Sequence, residues 1–365
     1  MDAGTLSDEM REISAGVEQF LAAFFHQNAE RYAYGHLFEP IYDDLAEYVL
    51  RRGKRIRPLL LMASYRLFGG TRPFDDLSLL RSAAAVELFH SFILIHDDVI
   101  DRSEIRRGLP TFHKVMEDRL GKLPERARMG ENLAIVIGDM LYALAVDTLL
   151  ATDFETPVRD AAMRRFLHSV ADTGCGETLD ILLSARDIAR VGEEDIVQMY
   201  HLKTTRYTFE APLVLGAILA GADPQAILDL TTIADPLGLA FQIQNDLVEY
   251  SHFDLMDRAL QTDLLEGKKT LLIRAAYERL SEVDRSFLQL CLSAPSVRDS
   301  AIHKIRELVD KSGAVALLAK RREELVAQAQ QNLASSILSA SQRERFRELV
   351  DFVHQMIQAS GAGAS

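Results

Sequence analysis

The strongest constraint on this chain is helical periodicity, which runs through almost its whole length and in two places gives segments that are apolar nearly all round. Leu79 to Ile100 is rich in Ala, Leu and Phe, and Leu133 to Leu150 is similar. A helix of that kind has little to offer water, so it belongs in the interior of a large bundle. Asp195 to Leu219 and Gln225 to Tyr250 also read as helical, the latter with a break expected near Pro236. No alternating run bounded by Asn-Gly or Asp-Gly turns suggests a strand. Breakers fall between the helices, at Gly69-Gly70 with Pro73, Gly108 with Pro110, Pro124, Pro157, Gly221 with Pro224, and Pro295. The expected fold class is all-α, a single-domain helical bundle over residues 1–358, because no linker rich in Gly, Ser or Pro divides the chain. Residues 359–365 are small and polar and read as a disordered tail.

Composition narrows the function. A formal charge of -13 disfavours a protein that coats nucleic acid, and no nucleic-acid partner is expected. The two cysteines, Cys175 and Cys291, are far apart and lack a CxxC spacing, which argues against a disulfide framework or a zinc site and fits a reducing compartment. The acidic start, Met-Asp-Ala-Gly-Thr-Leu-Ser-Asp-Glu-Met, lacks the apolar core of a signal peptide. No uncharged apolar run reaches the roughly 18 residues of a membrane span. A soluble, cytoplasmic protein is the expectation.

Four kinds of cluster could carry chemistry. His96-Asp97-Asp98-Val99-Ile100-Asp101 closes a very apolar helix. Asp97 and Asp101 lie one turn apart on one face, with Asp98 beside them. Three carboxylates near a helix C-terminus repel each other and oppose the macrodipole, so they call for a cation. Taken alone the cluster could be a solvated helix end, and it lacks the spacing of an EF-hand. In Phe241-Gln242-Ile243-Gln244-Asn245-Asp246-Leu247-Val248-Glu249, the residues Gln242, Asn245, Asp246 and Glu249 form one stripe. The run Arg51-Arg52-Gly53-Lys54-Arg55-Ile56-Arg57-Pro58 and the pair Arg106-Arg107 suit an anion, since Arg forks grip phosphate oxygens in pairs. Lys203-Thr204-Thr205-Arg206 and Gly267-Lys268-Lys269-Thr270 add short basic motifs without the glycine spacing of a P-loop. Singly, each could be a solvated face. Together they describe carboxylates, magnesium and diphosphate stacked beside apolar walls, a setting for diphosphate departure from an allylic carbon in a dry cavity.

These residues resemble the trans-type polyprenyl (isoprenyl) diphosphate synthases, short-chain geranylgeranyl or farnesyl diphosphate synthases in particular. The likeness rests on Gly-Lys-Arg-Ile-Arg-Pro (53–58), Glu-Leu-Phe-His-Ser-Phe-Ile-Leu-Ile-His-Asp-Asp-Val-Ile-Asp (87–101), Arg-Arg-Gly-Leu-Pro-Thr (106–111), Gly-Asp (138–139), Lys-Thr (203–204), Phe-Gln-Ile-Gln-Asn-Asp (241–246) and Asp-Leu-Leu-Glu-Gly-Lys-Lys-Thr (263–270). It implies a helical cup around a central cavity, usually a homodimer, that joins isopentenyl diphosphate to an allylic diphosphate with two to three magnesium ions. Asp97, Asp98 and Asp101 would form the first metal motif, with Asp97 and Asp101 as direct ligands. Asn245, Asp246 and Glu249 would form the second. Lys54, Arg57, His90 and Arg107 would hold isopentenyl diphosphate. Arg106, Lys203 and Lys268 would hold the allylic diphosphate, and Thr204 and Gln242 would stabilise the allylic cation.

Three departures stand out. Asn245 and Glu249 stand where the second motif usually has Asp, Glu177 stands where Gln is usual, and Arg258 takes the place of a Lys. Chain length in this family depends on residues four and five before the first motif, here Ile93 and Phe92, with Phe89 one turn further up. Bulk there without an insertion resembles enzymes making C15–C20 products, with C20 favoured. Helix geometry alone puts Ile93 and Phe89 nearer the Asp97 face than Phe92. Two rival readings remain. Asn245-Asp246 begins a class I terpene cyclase pattern, Asn-Asp-x-x-Ser-x-x-x-Glu, that then fails at Glu249 and Phe253. The altered second motif would also suit the regulatory subunit of a heteromeric synthase, against which the intact Asp97–Asp101 motif argues.

Overall fold

The computed structural model describes residues 6–32, 35–106, 108–251, 264, 266–293 and 295–362, and these form two compact units. The first comprises Met1–Phe166 with Leu215–Gly221, the second Leu167–Val214 with Ala222–Ser365. Helices account for nearly all described residues, as expected; a two-residue antiparallel ladder, β1 (Ile105–Arg106) with β2 (Leu109–Pro110), is the exception.

In the first unit, α1 (Leu6–Tyr32), α2 (Glu39–Leu50), α3 (Ile56–Leu67), α5 (Phe112–Arg119) and α6 (Arg126–Leu150) surround α4 (Leu77–Ile100). Asp76 starts α4, its carboxylate accepting from the backbone N–H of Ser78 and Leu79 at 3.0 Å each. Ala83, Ala84 and Ala85 then let neighbours approach closely, and Leu79, Leu88 and Phe89 are buried among α1, α3, α5 and α6. Each such large side chain contributes about 1.5–3 kcal/mol, enough to carry a helix into the core despite a polar end.

The second unit follows the start of α7 (Thr156–Ser184). It contains α8 (Glu193–Tyr200), a π-helical stretch over His201–Glu210, then α9 (Ala211–Leu219), which ends in the first unit. Next come α10 (Pro224–Ser251), α11 (Leu271–Arg279), α12 (Glu282–Ser293), α13 (Pro295–Ser312), α14 (Ala314–Ser335) and α15 (Ala340–Ala362). Helix α10 is the centre of this unit, packed on the π stretch, α14 and α15. The expected break at Pro236 does not occur. Proline removes the N–H that would reach the carbonyl of Thr232, and Asn332 of α14 replaces it, donating from Nδ2 to that oxygen at 2.8 Å. Helix α15 runs to Ala362, and of the expected tail 363–365 lie outside the described residues.

Three helices, α4, α6 and α10, are long and apolar enough by composition to cross a membrane once a few charges are allowed. Their apolar windows are 72%, 44% and 56% buried inside the protein, so packing accounts for most of α4's character and for much less of α6's.

Candidate active site

In the first unit the acidic motif sits where α4 ends. Asp97 and Asp101, half-buried, offer carboxylate oxygens within 4.8 Å of one another. Asp98 is placed differently. It is fully buried, with Oδ2 accepting from Tyr48 Oη at 3.0 Å and Oδ1 from Arg106 Nε at 2.7 Å. The same guanidinium donates to Asp97 Oδ2 at 3.1 Å. Burial pushes the Asp98 carboxyl above its ordinary value, and Arg106 pulls it back. Burial also works against the Arg106 charge, but Asp98 and Asp97 outweigh it and hold the guanidinium protonated. Burial beside Asp98 raises the Tyr48 hydroxyl, which stays a donor. Asp98 thus holds Arg106 and Tyr48, whereas Asp97 and Asp101 keep the more accessible carboxylates of the motif.

The basic run separates into two kinds of residue. Arg55 turns inward from a left-handed backbone position (φ 46°). It donates to Glu87 Oε1 at 2.6 Å and to the carbonyls of Val49 and Arg51 at 3.0 and 3.1 Å. Arg51 binds Glu47 and the carbonyl of Pro110. Lys54 stays exposed, its ammonium lowered by partial burial, while Arg57 and His90 are buried. Arg107 and Arg258 lie outside the described residues.

Aromatic rings line the helix above the motif. Phe89 stacks on Phe92 at 6.0 Å and meets Phe166 edge-on at 5.3 Å. Phe92 packs on Tyr142 of α6 and on His96, and Ile93 is half-buried. His96 lies so close to α6 that a Cβ on Gly138 would sit 2.4 Å from its Nε2, which gives the Gly-Asp motif a steric reason.

In the second unit the basic motifs surround Asp180. Lys203 Nζ lies 2.7 Å from Asp180 Oδ2 and 2.8 Å from Glu177 Oε2. Lys268 Nζ lies 3.8 Å from the same Asp180 oxygen. Gly176 makes this possible, because a Cβ there would fall 2.2 Å from the backbone N of Lys203. Lys269 is structural, buried and donating to the carbonyls of Ser184 and Gly267 at 2.8 and 2.7 Å. Thr204 is half-buried on the π stretch, a helix form found often at functional sites.

On α10, Asn245 and Glu249 are half-buried, whereas Asp246 is buried and fully engaged. Its Oδ1 accepts from Gln242 Nε2 at 2.9 Å and its Oδ2 from Tyr200 Oη. Asp246, like Asp98, accepts from protein donors through both carboxylate oxygens. Tyr48 and Tyr200 escaped the sequence reading, whereas Asp180 closes the Gly176-Glu177-Thr178-Leu179-Asp180 run that carries the Glu177 departure. The two tyrosines sit 50 and 46 residues from the carboxylates they bind, with no local pattern to mark them.

The polyprenyl synthetase family model matches residues 39–309. A short chain isoprenyl diphosphate synthase of Methanothermobacter thermautotrophicus is 35% identical over 65% of this chain and 66% of its own length. A geranylgeranyl diphosphate synthase of Saccharolobus solfataricus is 31% identical over 71% of this chain and 73% of its own. The crystal structure of geranylgeranyl pyrophosphate synthase from Corynebacterium glutamicum, complexed with isoprenyl diphosphate and magnesium, superposes with a TM-score of 0.80. It is 27% identical, covering 94% of this chain and 97% of that one. The chain belongs to the polyprenyl synthetase family. It is a trans-prenyltransferase that lengthens prenyl diphosphates.

Proposed function

We propose that the chain condenses isopentenyl diphosphate head to tail with an allylic diphosphate, giving a C15–C20 product with C20 favoured. The observation that supports this is the cluster of Lys203 and Lys268 about Asp180, two ammonium groups near one carboxylate that we read as the anchor of the allylic diphosphate. Asp97 and Asp101 fit magnesium, being close, half-buried oxygen donors of the hard kind that ion prefers. Asn245 and Glu249 are the proposed donors for the second helix, for two to three ions in all. Bound there, magnesium would supply the positive charge that a departing diphosphate needs.

The chain's own residues do the rest. Lys203 and Lys268 exchange carboxylate partners for diphosphate oxygens, and Arg106 adds a fork beside Asp97. Lys54, Arg57, His90 and Arg107 hold isopentenyl diphosphate. Gln242 and Thr204 face the allylic cation with oxygen dipoles. Phe89, Phe92 and Ile93 bound the room for the growing tail. Support comes from the ring stack of Phe89 on Phe92 and Phe166. A second copy of this chain is the proposed partner, supported by the apolar side chains Met129, Val136 and Leu150, which α6 leaves 39%, 63% and 46% exposed.

The test is incubation of the purified chain with isopentenyl diphosphate, magnesium and dimethylallyl, geranyl or farnesyl diphosphate in turn. Magnesium-dependent C15–C20 products are expected. Main products of C30 or longer would overturn the length assignment, and no product from any primer would overturn the reading.

A further inference from the structure

Tyr200 lies at the end of α8, three residues before Lys203, and is 2% exposed. Its hydroxyl accepts from the backbone N–H of Leu271 at 3.0 Å. A phenol has one proton, and with that acceptor position filled the proton goes to Asp246 Oδ2. Asp246, 4% exposed, is left with Oδ1 as its other acceptor, which takes the side-chain amide of Gln242 at 2.9 Å. A carboxylate only accepts, so Gln242 must turn its NH2 toward Asp246 and its carbonyl oxygen away. The direction of every bond in this chain is set by the first, a backbone N–H that cannot reverse.

We infer that Tyr200 is a positioning residue for the condensation, acting through Asp246 to orient the Gln242 amide so that its negative carbonyl end meets the allylic cation. The same hydroxyl caps the first N–H of α11, and so fixes the start of the helix directly after Lys268, Lys269 and Thr270. One buried oxygen thereby ties a cation-facing amide to a diphosphate-binding loop. This inference rests on the synthase reading above.

The test is a double-mutant cycle in the full-length chain, with kcat and KM measured for both substrates. Tyr200→Phe is expected to lower kcat about tenfold, the size of one lost oriented hydrogen bond, and to leave the KM for isopentenyl diphosphate within about twofold. Gln242→Ala lowers kcat as well, and the double variant should be no slower than Gln242→Ala alone, because Tyr200 acts through that amide. A merely structural tyrosine would multiply its effect onto Gln242→Ala. Multiplying effects, or a wild-type kcat in Tyr200→Phe, would overturn the inference and leave the synthase reading standing. A wild-type chain inactive with every primer would overturn both. Should Tyr200→Phe fail to fold, Asp246→Asn keeps the shape, replaces an acceptor by a donor, and should show the same non-additivity with Gln242→Ala.

Discussion

Replacing Asp98 by alanine separates a carboxylate that holds the fold from Asp97 and Asp101, the two proposed to hold an ion. Asp98 has no exposed surface and faces Tyr48 at 3.0 Å and Arg106 at 2.7 Å. Removing one partner of a buried ion pair costs about 3–5 kcal/mol, because the other charge stays behind unpaired. Arg106 keeps 28% of its side chain exposed and retains Asp97, so water and that carboxylate take back part of the loss. A value of about 3 kcal/mol is therefore expected. Urea unfolding followed by far-UV circular dichroism reads it as a lower midpoint at unchanged slope. Asp97→Asn, at a half-buried site, should cost no more than about 1 kcal/mol and instead raise the magnesium concentration needed for activity. Wild-type stability in Asp98→Ala, with only its magnesium requirement changed, would refute the division of roles.

Arg55→Met should destabilise by about 3–5 kcal/mol, since it strands the buried Glu87 carboxylate, whereas Lys54→Met should stay within about 0.5 kcal/mol and raise the KM for isopentenyl diphosphate; unfolding curves and initial rates separate the two. Gly176→Ala forces a methyl against the Lys203 backbone at 2.2 Å, with an expected cost of about 1–3 kcal/mol and a higher KM for the allylic substrate. Phe89→Ala should cost about 3–5 kcal/mol and shift the product distribution upward in length, read by mass spectrometry of the dephosphorylated products.

The helices were legible because burial imposes a period that survives in the sequence. Asp97 and Asp101 could be paired by spacing alone, as i and i+4 on one face. What stayed hidden was set by contacts distant in sequence. Pro236 predicts a break that Asn332, on another helix, repairs. The cations between Arg51 and Arg57 look alike in sequence, but Glu87 draws Arg55 inward and leaves Lys54 outside. The spacing that groups Asp98 and Asp246 with their neighbours gives no sign of the tyrosines that bind them, which come from α2 and α8. The π stretch carrying Lys203 and Thr204 has no sequence signature, although Thr204, Thr205 and Thr208 crowd an ordinary helix at χ1.

The most direct measurement is the product formed by the purified chain from isopentenyl diphosphate and each allylic diphosphate, with and without magnesium. The account predicts C15–C20 prenyl diphosphates that vanish with chelator and return with magnesium. A hydrocarbon made from farnesyl or geranylgeranyl diphosphate alone, or no turnover with any primer, would contradict it.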